Sequence, residues 1–246
     1  MSNGFYTAAQ AMLIQQRRLN TISNNIANVK TNGYKKEETV LSTFEESLQY
    51  RIQNNQKTLI GSESRLIGID EINFRVDIAN LEDTNRSLDI ALVSEGFFTV
   101  RQNNTIFFTR DGSFNIDSEG YLVTSKGARV QGMKGDIRVM NDSFIVNETG
   151  LVINSNGQVI DRLSIQTPND NSNLVKMENG YFTETSGNMT QTNPWVIQSM
   201  LENSNVDVTE EMTQLMEVQR NFQSVANALK TIDGLNARAV SEIGKV

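Results

Sequence analysis

Three acidic side chains stand close together near the middle of the sequence, where carboxylates could do chemistry. Asp111, Asp117 and Glu119 fall in neighbouring predicted turns, and a pair of carboxylates on adjacent hairpins is what a glycoside hydrolase needs. The segment 111–117 also alternates oxygen-bearing side chains, but it lacks the glycine and the glutamate that an EF-hand loop requires. Because Asp beside Gly usually serves the turn itself, we predict neither an active site nor a metal site here.

The composition also argues against an enzyme. The 246 residues include no cysteine and no histidine, which removes thiolate nucleophiles, disulfides, the most common general base and the most common metal ligands. The sequence has no Gly-Lys-Ser/Thr loop that would cradle a phosphate. We therefore predict a protein without enzymatic activity and without a cofactor.

The charge and hydropathy of the chain limit its partners. The formal net charge of −7 argues against nucleic acid, because duplex binding uses basic patches that displace counterions. No apolar run reaches the roughly 18 residues that a membrane span needs, so we expect no membrane insertion. The first residues lack the basic leader of a secretory signal, and we expect a cytosolic location or export by a route that keeps the N-terminus.

The carboxylates lie in a region, 71–198, whose pattern is typical of an antiparallel β-domain. Short runs rich in Val, Ile, Phe, Thr and Tyr alternate with turn signals such as Asn103-Asn104 and Asn156-Gly157. The predicted strands are Ile72–Ile78, Ile90–Val93, Phe97–Arg101, Ile106–Arg110, Ser113–Ile116, Tyr121–Thr124, Phe144–Val146, Leu151–Ile153, Val159–Ile165 and Tyr181–Glu184. The polar region 35–70 predicts an extended connector, with one short helix near residues 44–52.

The two ends of the chain carry apolar stripes at spacings of three and four residues, a 3.5-residue repeat that indicates a helix packed on another helix. Asp207 and Glu210 form a capping-box arrangement before the second stripe. The first stripe is Phe5, Ala8, Met12, Gln15, Leu19, Ile22, Ile26 and Val29. The second is Val208, Glu211, Leu215, Val218, Phe222, Val225, Leu229, Ile232, Asn236, Ala239 and Ile243. The outer faces are not predicted to be wholly polar, because Ile14, Met216, Ala226 and Ala228 lie off the stripes.

These patterns predict an α+β fold in which long N- and C-terminal helices pair as a coiled coil around an inserted antiparallel β-domain. The predicted domains are 1–34 with 199–246 for the helices, 35–70 for the connector and 71–198 for the β-domain. Periodicity alone leaves another interpretation open, in which each helix packs separately on the β-domain.

Several short segments resemble a known family. Residues 24–35 (NNIANVKTNGYK) resemble the signature that ends the first helix of bacterial flagellar axial proteins, and residues 5–9 (FYTAA) resemble the opening of the rod subunits. Residues 88–92 (LDIAL), 96–100 (GFFTV) and 108–114 (FTRDGSF) are similar to the start of the family's β-domain. Its C-terminal helix resembles residues 201–207 (LENSNVD) and 219–222 (QRNF).

The resemblance implies a structural subunit of the flagellar basal-body rod, polymerising helically through its terminal helices into a torque-transmitting tube. It implies export through the flagellar type III apparatus without a cleaved signal, and partners that are copies of itself and other rod or hook subunits. The rivals are a hook or hook-junction subunit and a β binding module with a coiled-coil stalk. Gly is usual in the family where Asn80 and Asn85 stand, and Asn tolerates the left-handed backbone almost as well.

Assembly contacts are predicted for residues in both terminal segments. Asn24, Asn25 and Asn28 have two interpretations: their amides are exposed at the end of the helix, or they form hydrogen bonds to a neighbouring subunit. For Tyr34, a place in the core is equally open. The predicted residues are Asn24, Asn25, Ala27, Asn28, Thr31, Gly33, Tyr34, Leu215, Val218, Gln219, Arg220, Phe222, Leu229 and Ile232.

Overall fold

The computed structural model describes residues 2–43, 46–53, 56–64, 67–170, 173–177, 179–185 and 188–243. Within these ranges helix α1 spans Ser2–Ala27 and helix α2 spans Val208–Ile243. Twenty described strands lie between them: β1 Glu37–Thr43, β2 Glu46–Gln53, β3 Gln56–Ser64, β4 Ile67–Phe74, β5 Leu81–Asp83, β6 Ile90–Leu92, β7 Phe97–Gln102, β8 Thr105–Thr109, β9 Phe114–Ile116, β10 Leu122–Thr124, β11 Arg129–Val130, β12 Ile145–Val146, β13 Leu151–Ile153, β14 Val159–Arg162, β15 Ile165–Pro168, β16 Leu174–Lys176, β17 Phe182–Glu184, β18 Met189–Gln191, β19 Val196–Gln198 and β20 Met200–Glu202. The predicted α+β class is confirmed.

Contacts divide the chain into two compact units. The terminal unit contains Met1–Ile26, Glu38–Ile72 and Val208–Val246, and the β-rich unit contains Ala27–Glu37 and Asn73–Asp207. The segment that follows α1 therefore groups with the β-rich unit. The predicted division into helical, connector and β-domains stays a prediction about which parts fold together.

Both helices begin and end close to the predicted residues. Helix α2 starts directly after Asp207, with Glu210 and Glu211 in its first turn, where carboxylates face the positive end of the helix dipole. Helix α1 ends at Ala27, and Gly33 beyond it has a left-handed φ of 66°.

The region predicted as a connector contains four strands. Strand β1 pairs with β4, and β2 pairs antiparallel with β3 from Glu46↔Ser64 to Gln53↔Gln56. The predicted short helix near residues 44–52 is wrong, since Glu46–Gln53 is a strand; Phe44 lies outside the described residues. Leu48, Tyr50 and Ile52 alternate with polar residues, which is the period of a strand rather than a helix.

The β-rich unit is built on one large antiparallel sheet. Its strand order is β16-β17-β8-β7-β11-β10-β9, with β15 also on β7 and β18 on β15. A cluster of buried apolar side chains forms the main core, including Phe98, Phe114, Leu122 and Ile165, all fully buried. A smaller cluster is centred on Phe97. Phe97 and Phe98 at the start of β7 are therefore in the core, and the strand predicted from Phe97 is confirmed.

Most predicted strands in this unit are confirmed within two residues, but the segment Val159–Ile165 is two strands, and Ile72–Ile78 stops at Phe74. Six short strands were not predicted: β5, β11, β16, β18, β19 and β20. Two of these pair with distant partners, Val196↔Leu92 and Leu201↔Glu82. A strand of three residues is too short to show an alternation of apolar and polar residues, so strands held by such long-range pairing are not predictable from their own sequence.

The predicted turns are confirmed where their backbone is left-handed. Asn103 and Asn104 both have positive φ, as a two-residue hairpin turn needs. Asn85 has a φ of 55°, as expected where the family has glycine. The same expectation for Asn80 is wrong, because the φ of Asn80 is not positive.

Candidate assembly site

One face of α2 is covered, with the period that the sequence predicts. Glu211 is fully buried and Val218 is 1% exposed, whereas the neighbouring Gln219 and Arg220 are exposed. The other stripe residues are half-buried, namely Val208, Leu215, Phe222, Val225, Leu229 and Ile232. The side chains of the last three stripe positions, 236, 239 and 243, lie outside the described ones.

Helix α1 has a similar but wider covered face. Ile22 is buried and Phe5 is exposed. The remaining stripe residues are half-buried, namely Ala8, Met12, Gln15, Leu19, Ile26 and Val29. The prediction that Ile14 lies on the outer face is wrong, because Ile14 is also buried. An apolar stripe of period 3.6 covers a broader arc than a strict coiled-coil seam, so a residue beside the stripe can be buried with it.

A buried polar contact joins the two helices within the terminal unit. Asn25 Nδ2 donates to Glu211 Oε2 at 3.1 Å, although the residues are 186 positions apart. Asn25 is therefore not an exposed helix end, and its hydrogen bond to a neighbouring subunit stays a prediction. One such contact falls short of a coiled coil, and the coiled-coil pairing of α1 with α2 stays a prediction.

The outer faces of both helices expose large apolar side chains. Met216 is 54% exposed, as predicted for a residue off the stripe. Others on the described parts of the helices are Leu13, Met212, Leu235 and Val240. Met212 and Met216 stand one helical turn apart, so these two exposed side chains lie on the same face of α2.

In the β-rich unit, the segment 33–37, here called the strap, is held by backbone hydrogen bonds. Gly33 N donates to Glu202 O at 2.7 Å, and Lys36 N donates to Asn205 Oδ1 at 2.7 Å. Arg75 N in turn donates to Lys36 O at 3.0 Å. The strap therefore lies between the chain after β4 and the chain that leads to α2.

Gly33 permits the close approach of the strap to the β8–β9 connection. A Cβ built there would stand 2.3 Å from the carbonyl carbon of Arg110 and 2.4 Å from Asp111 N. With its positive φ, the position excludes every side chain on both steric and conformational grounds.

A buried ion cluster lies beneath the strap. Lys35 Nζ donates to Glu202 Oε1 at 2.7 Å and to Asp77 O at 2.6 Å. Arg110 Nη1 donates to Glu202 Oε2 at 3.1 Å. The side chains of Lys35 and Arg110 are 0% exposed and that of Glu202 is 1% exposed. Two cations thus share one carboxylate away from water.

The backbone around this cluster supplies further hydrogen bonds. Ala79 N donates to Glu202 Oε1 at 2.9 Å, and the Arg110 guanidinium donates to the carbonyls of Leu92 and Ser94. Burial lowers the pKa of Lys35 from 10.5, and the adjacent Glu202 carboxylate opposes that shift. Burial also lowers the pKa of Arg110, which stays charged at any physiological pH.

The far end of the strap is held by Lys176 on β16. Its Nζ bonds to Glu37 Oε1 at 2.6 Å and lies 4.0 Å from the centre of the Tyr34 ring. Such a contact is a cation–π interaction. Tyr34 is 6% exposed, so this residue is part of the core of its own subunit.

The predicted assembly residues fall into three groups. Gly33, Tyr34, Asn25 and Val218 are buried within the chain, and the stripe residues of α2 are half-buried. Asn28 Oδ1 accepts a hydrogen bond from Thr31 Oγ1 at 3.2 Å. The exposed members are Asn24, Ala27, Thr31, Gln219 and Arg220. Direct contact with a neighbour stays a prediction for each of them.

Sequence reasoning missed the ion cluster. Each of its three residues stands in a segment that resembles the family, in GYK, FTRDG and LENSN. Arg110 and Glu202 follow runs that contain apolar residues, whereas Lys35 stands between Tyr34 and Lys36 and carries no such local signal. Their partnership spans 167 residues between Lys35 and Glu202, and only the fold brings them together.

The carboxylates considered for chemistry serve their turns. Asp111 Oδ1 accepts from Ser113 N and Oγ, and Asp117 Oδ1 accepts from Glu119 N and Tyr121 N. Glu119 bonds to Arg129 at 2.6 Å. Across the described ranges there is no group of His, Cys, Asp or Glu that could hold a metal ion.

Comparison with known proteins places these segments in one family. The description "Flagella basal body rod protein" matches residues 5–35, "Flagellar hook protein FlgE/F/G D1 domain" matches residues 91–216, and "Flagellar basal body rod FlgEFG protein C-terminal" matches residues 197–242. The second alone spans about half of the 246 residues.

The chain belongs to the flagellar rod and hook protein family. It is 30% identical to the flagellar basal-body rod protein FlgF of Caulobacter vibrioides, and the alignment covers 100% of both chains. It is 28% identical to the flagellar hook-basal body complex protein FlhO of Bacillus subtilis, again over 100% of both. It is 30% identical to the rod protein FlgG of the same organism, over 95% of this chain and 96% of the relative.

The ion cluster takes one residue from each matched family segment. Lys35 ends the first, Arg110 lies in the second, and Glu202 lies where the second and third overlap.

None of the helices that the structure describes is long and apolar enough to cross a membrane.

Proposed function

We propose that this protein is a structural, non-enzymatic subunit of the bacterial flagellar basal-body rod, which polymerises helically through its terminal helices into a torque-transmitting axial tube. The observation that carries the proposal is full-length similarity to a rod protein, with the alignment covering 100% of both chains. Its partners are copies of itself, other rod or hook subunits and the flagellar export apparatus, which exports it without a cleaved signal. Its location is the rod of the basal body.

The terminal helices give this proposal a physical basis. Closing a loop of about 186 residues to join Asn25 with Glu211 costs about 4–5 kcal/mol in chain entropy before any constant term. A two-helix coiled coil with polar residues in its seam and apolar residues outside offsets little more than that cost. Neighbouring subunits that cover the outer faces complete the helical layer, and a head-to-tail contact that does not close on itself grows into a filament.

We propose that the predicted assembly residues act in two ways. The exposed residues, such as Asn24, Thr31 and Arg220, contact neighbouring subunits directly. The buried ones, Gly33 and Tyr34 among them, hold the terminal segments in place within their own subunit. The helices, the connector strands and the β-domain then act as three folding parts of one subunit.

The outer face of α2 offers a matched test. Met216→Lys places a charge on an exposed apolar position, and Ser224→Lys places the same charge on an exposed polar position of the same helix. Because both side chains are exposed, the free energy of unfolding of each variant should be within about 0.5 kcal/mol of that of the wild type. Met216→Lys should reduce incorporation into rods severalfold, while Ser224→Lys should not.

A truncation tests the role of the whole C-terminal helix. Removal of residues 221–246 retains Glu211 and Val218, and should leave the β-rich unit folded by circular dichroism while it abolishes assembly. Sedimentation of the purified chain and complementation of a strain lacking the gene give the two readouts. Normal incorporation of the truncated chain into rods would overturn the proposal.

A hook or hook-junction subunit is the nearest alternative, because the matched family descriptions include hook proteins. Deletion of the gene distinguishes the two. A rod subunit's loss arrests flagella before any hook forms, whereas a hook-junction subunit's loss leaves rod and hook in place. A β binding module with a helical stalk would form an oligomer of fixed size and would leave flagella unchanged when deleted.

A further inference from the structure

The strap and the segment before α2 are bound to each other as well as to the sheet. Gly33 N donates to the carbonyl of Glu202, and Asn205 N donates to the carbonyl of Tyr34 at 3.4 Å. Asn205 also reaches Lys36 N through its side-chain oxygen and Arg75 O through its side-chain nitrogen. The chain thus enters the β-rich unit from α1 and leaves it towards α2 at one place.

Lys35 sets the register of that crossing. Its ammonium group bonds to Glu202 of the outgoing segment and to Asp77 O of the chain after β4. A shift of the strap by one residue would turn Lys35 out and leave the buried charge of Glu202 with Arg110 alone. The register is therefore defined by a charge-assisted bond rather than by shape.

A buried cation is a poor choice if stability is the only requirement. Desolvation of a charge offsets much of its attraction to a partner, and apolar residues of equal volume often stabilise as well or better. Here two buried cations bond directly to one carboxylate, and the carboxylates of Asp77 and Glu95 act on them only through their charge. An apolar side chain at position 35 would fill the space but would not specify which residue sits there.

We propose, on the basis of the rod function proposed above, that Lys35 is a positioning residue for assembly. It fixes the strap against the segment before α2, so that both terminal helices leave the β-rich unit from one defined point. A subunit in which this point is loose keeps its β core and the Asn25–Glu211 contact, but the two chain segments that lead to the helices are no longer fixed to each other. Such a subunit binds poorly to a growing end that requires both helices at once.

The test compares Lys35→Met with Val152→Ala in the full-length chain. Met matches the length of the lysine stem and leaves Glu202 paired with Arg110. Val152 is a fully buried core residue of β13, away from the strap, so its variant controls for a loss of stability without a loss of register. Incorporation into rods is measured in a strain lacking the gene, at a temperature where denaturation curves show both variants folded.

Amide hydrogen exchange of the purified subunit supplies a readout of the strap itself. In Lys35→Met, exchange at the Gly33 and Lys36 amides should accelerate at least tenfold, with the β7–β8 amides unchanged. Incorporation should fall at least tenfold, whereas Val152→Ala should stay within twofold of the wild type. If Lys35→Met does not fold, Lys35→Gln, which removes the charge and keeps a hydrogen-bond donor, takes its place in the same comparison.

The outcomes separate this proposal from the rod function. If Lys35→Met exchanges slowly at Gly33, or incorporates as well as Val152→Ala, the positioning role is wrong and the rod function stands. If the truncation of residues 221–246 also incorporates normally, the rod function fails with it. Fast exchange together with lost incorporation, in a chain whose core amides are unchanged, supports both.

Discussion

Substitution of Glu202 by Gln is the sharpest perturbation of the β-rich unit. Gln has the same shape, so it fills the site without a cavity, but it removes the single negative charge between Lys35 and Arg110. Both cations are fully buried, and the carboxylate accepts hydrogen bonds from each of them and from Ala79 N. The variant therefore isolates the charge from packing.

The magnitude follows from leaving buried charge without a partner. Removal of one partner of a buried ion pair typically costs about 3–5 kcal/mol. In this cluster two cations lose the same carboxylate, which favours the upper part of that range. Part of the cost is relieved because Lys35, whose pKa is already lowered by burial, can deprotonate once Glu202 no longer opposes the shift. We expect a loss of about 3–5 kcal/mol in the free energy of unfolding.

Chemical denaturation followed by tryptophan fluorescence measures this loss. Trp195 is the single tryptophan of the chain and lies in the β-rich unit, next to strand β19, so its signal reports the unit that contains the cluster. The control is Glu82→Gln on β5, which removes the same charge from an exposed side chain opposite Leu201. That control should change the free energy of unfolding by less than about 0.5 kcal/mol.

The result that refutes the reasoning is equally defined. If the free energy of unfolding of Glu202→Gln is within about 0.5 kcal/mol of that of Glu82→Gln, the cluster does not hold the strap through charge. A second arm tests the cause: raising the pH should restore part of the lost stability in Glu202→Gln, because Lys35 then folds in its neutral form. The control keeps the wild-type cluster around Lys35, so its stability should rise less with pH than that of Glu202→Gln.

Three further predictions concern the same unit. Gly33→Ala should lower the free energy of unfolding by more than about 2 kcal/mol, because it adds a clash with Arg110 to the cost of a positive φ. Gly157 has a similar φ but open space around it, so Gly157→Ala should lower the free energy of unfolding, measured by denaturation, by only about 1 kcal/mol. The lowered pKa of Lys35 means that the unfolded chain binds more protons between that pKa and 10.5, so stability should rise with pH across this window, and Lys35→Met should flatten the rise measured in parallel denaturations. Burial raises the pKa of Asp136, but hydrogen bonds from Gln131 and two arginines outweigh it and hold the pKa below 3.8. The stabilisation by Asp136 is therefore present above pH 3.8 and lost as the pH falls through the lowered pKa, and Asp136→Asn should be less stable by on the order of 1–3 kcal/mol at pH 7 while losing less stability on acidification.

The terminal helices illustrate what a local pattern can predict. The stripe through Glu211, Val218 and Phe222 follows from side chains three and four residues apart, and the covered face of α2 has that period. The prediction for Ile14 is wrong because this residue stands next to the stripe, and a broader contact buries it together with the stripe residues. The outward position of Met216 and the start of α2 after Asp207 were equally readable, since each depends on immediate neighbours.

The strands divide in the same way. The hairpin at Asn103-Asn104 carries its own turn chemistry, and its two strands are confirmed. Strands β2 and β3 lie in a polar region whose composition is typical of a connector, although Leu48, Tyr50 and Ile52 alternate with the period of a strand. Strands β19 and β20 pair with segments more than 100 residues away, and a three-residue strand has no local period to detect.

The sequence by itself determined the two terminal helices, most of the longer strands of the β-rich unit and its turns, because each of these is set by residues that are neighbours along the chain. It also carried enough of the family's segments to predict a flagellar axial protein. The tertiary structure alone decided that Lys35, Arg110 and Glu202 share one buried site. Burial and ion pairing depend on which distant segments meet, and no spacing within a segment encodes that meeting.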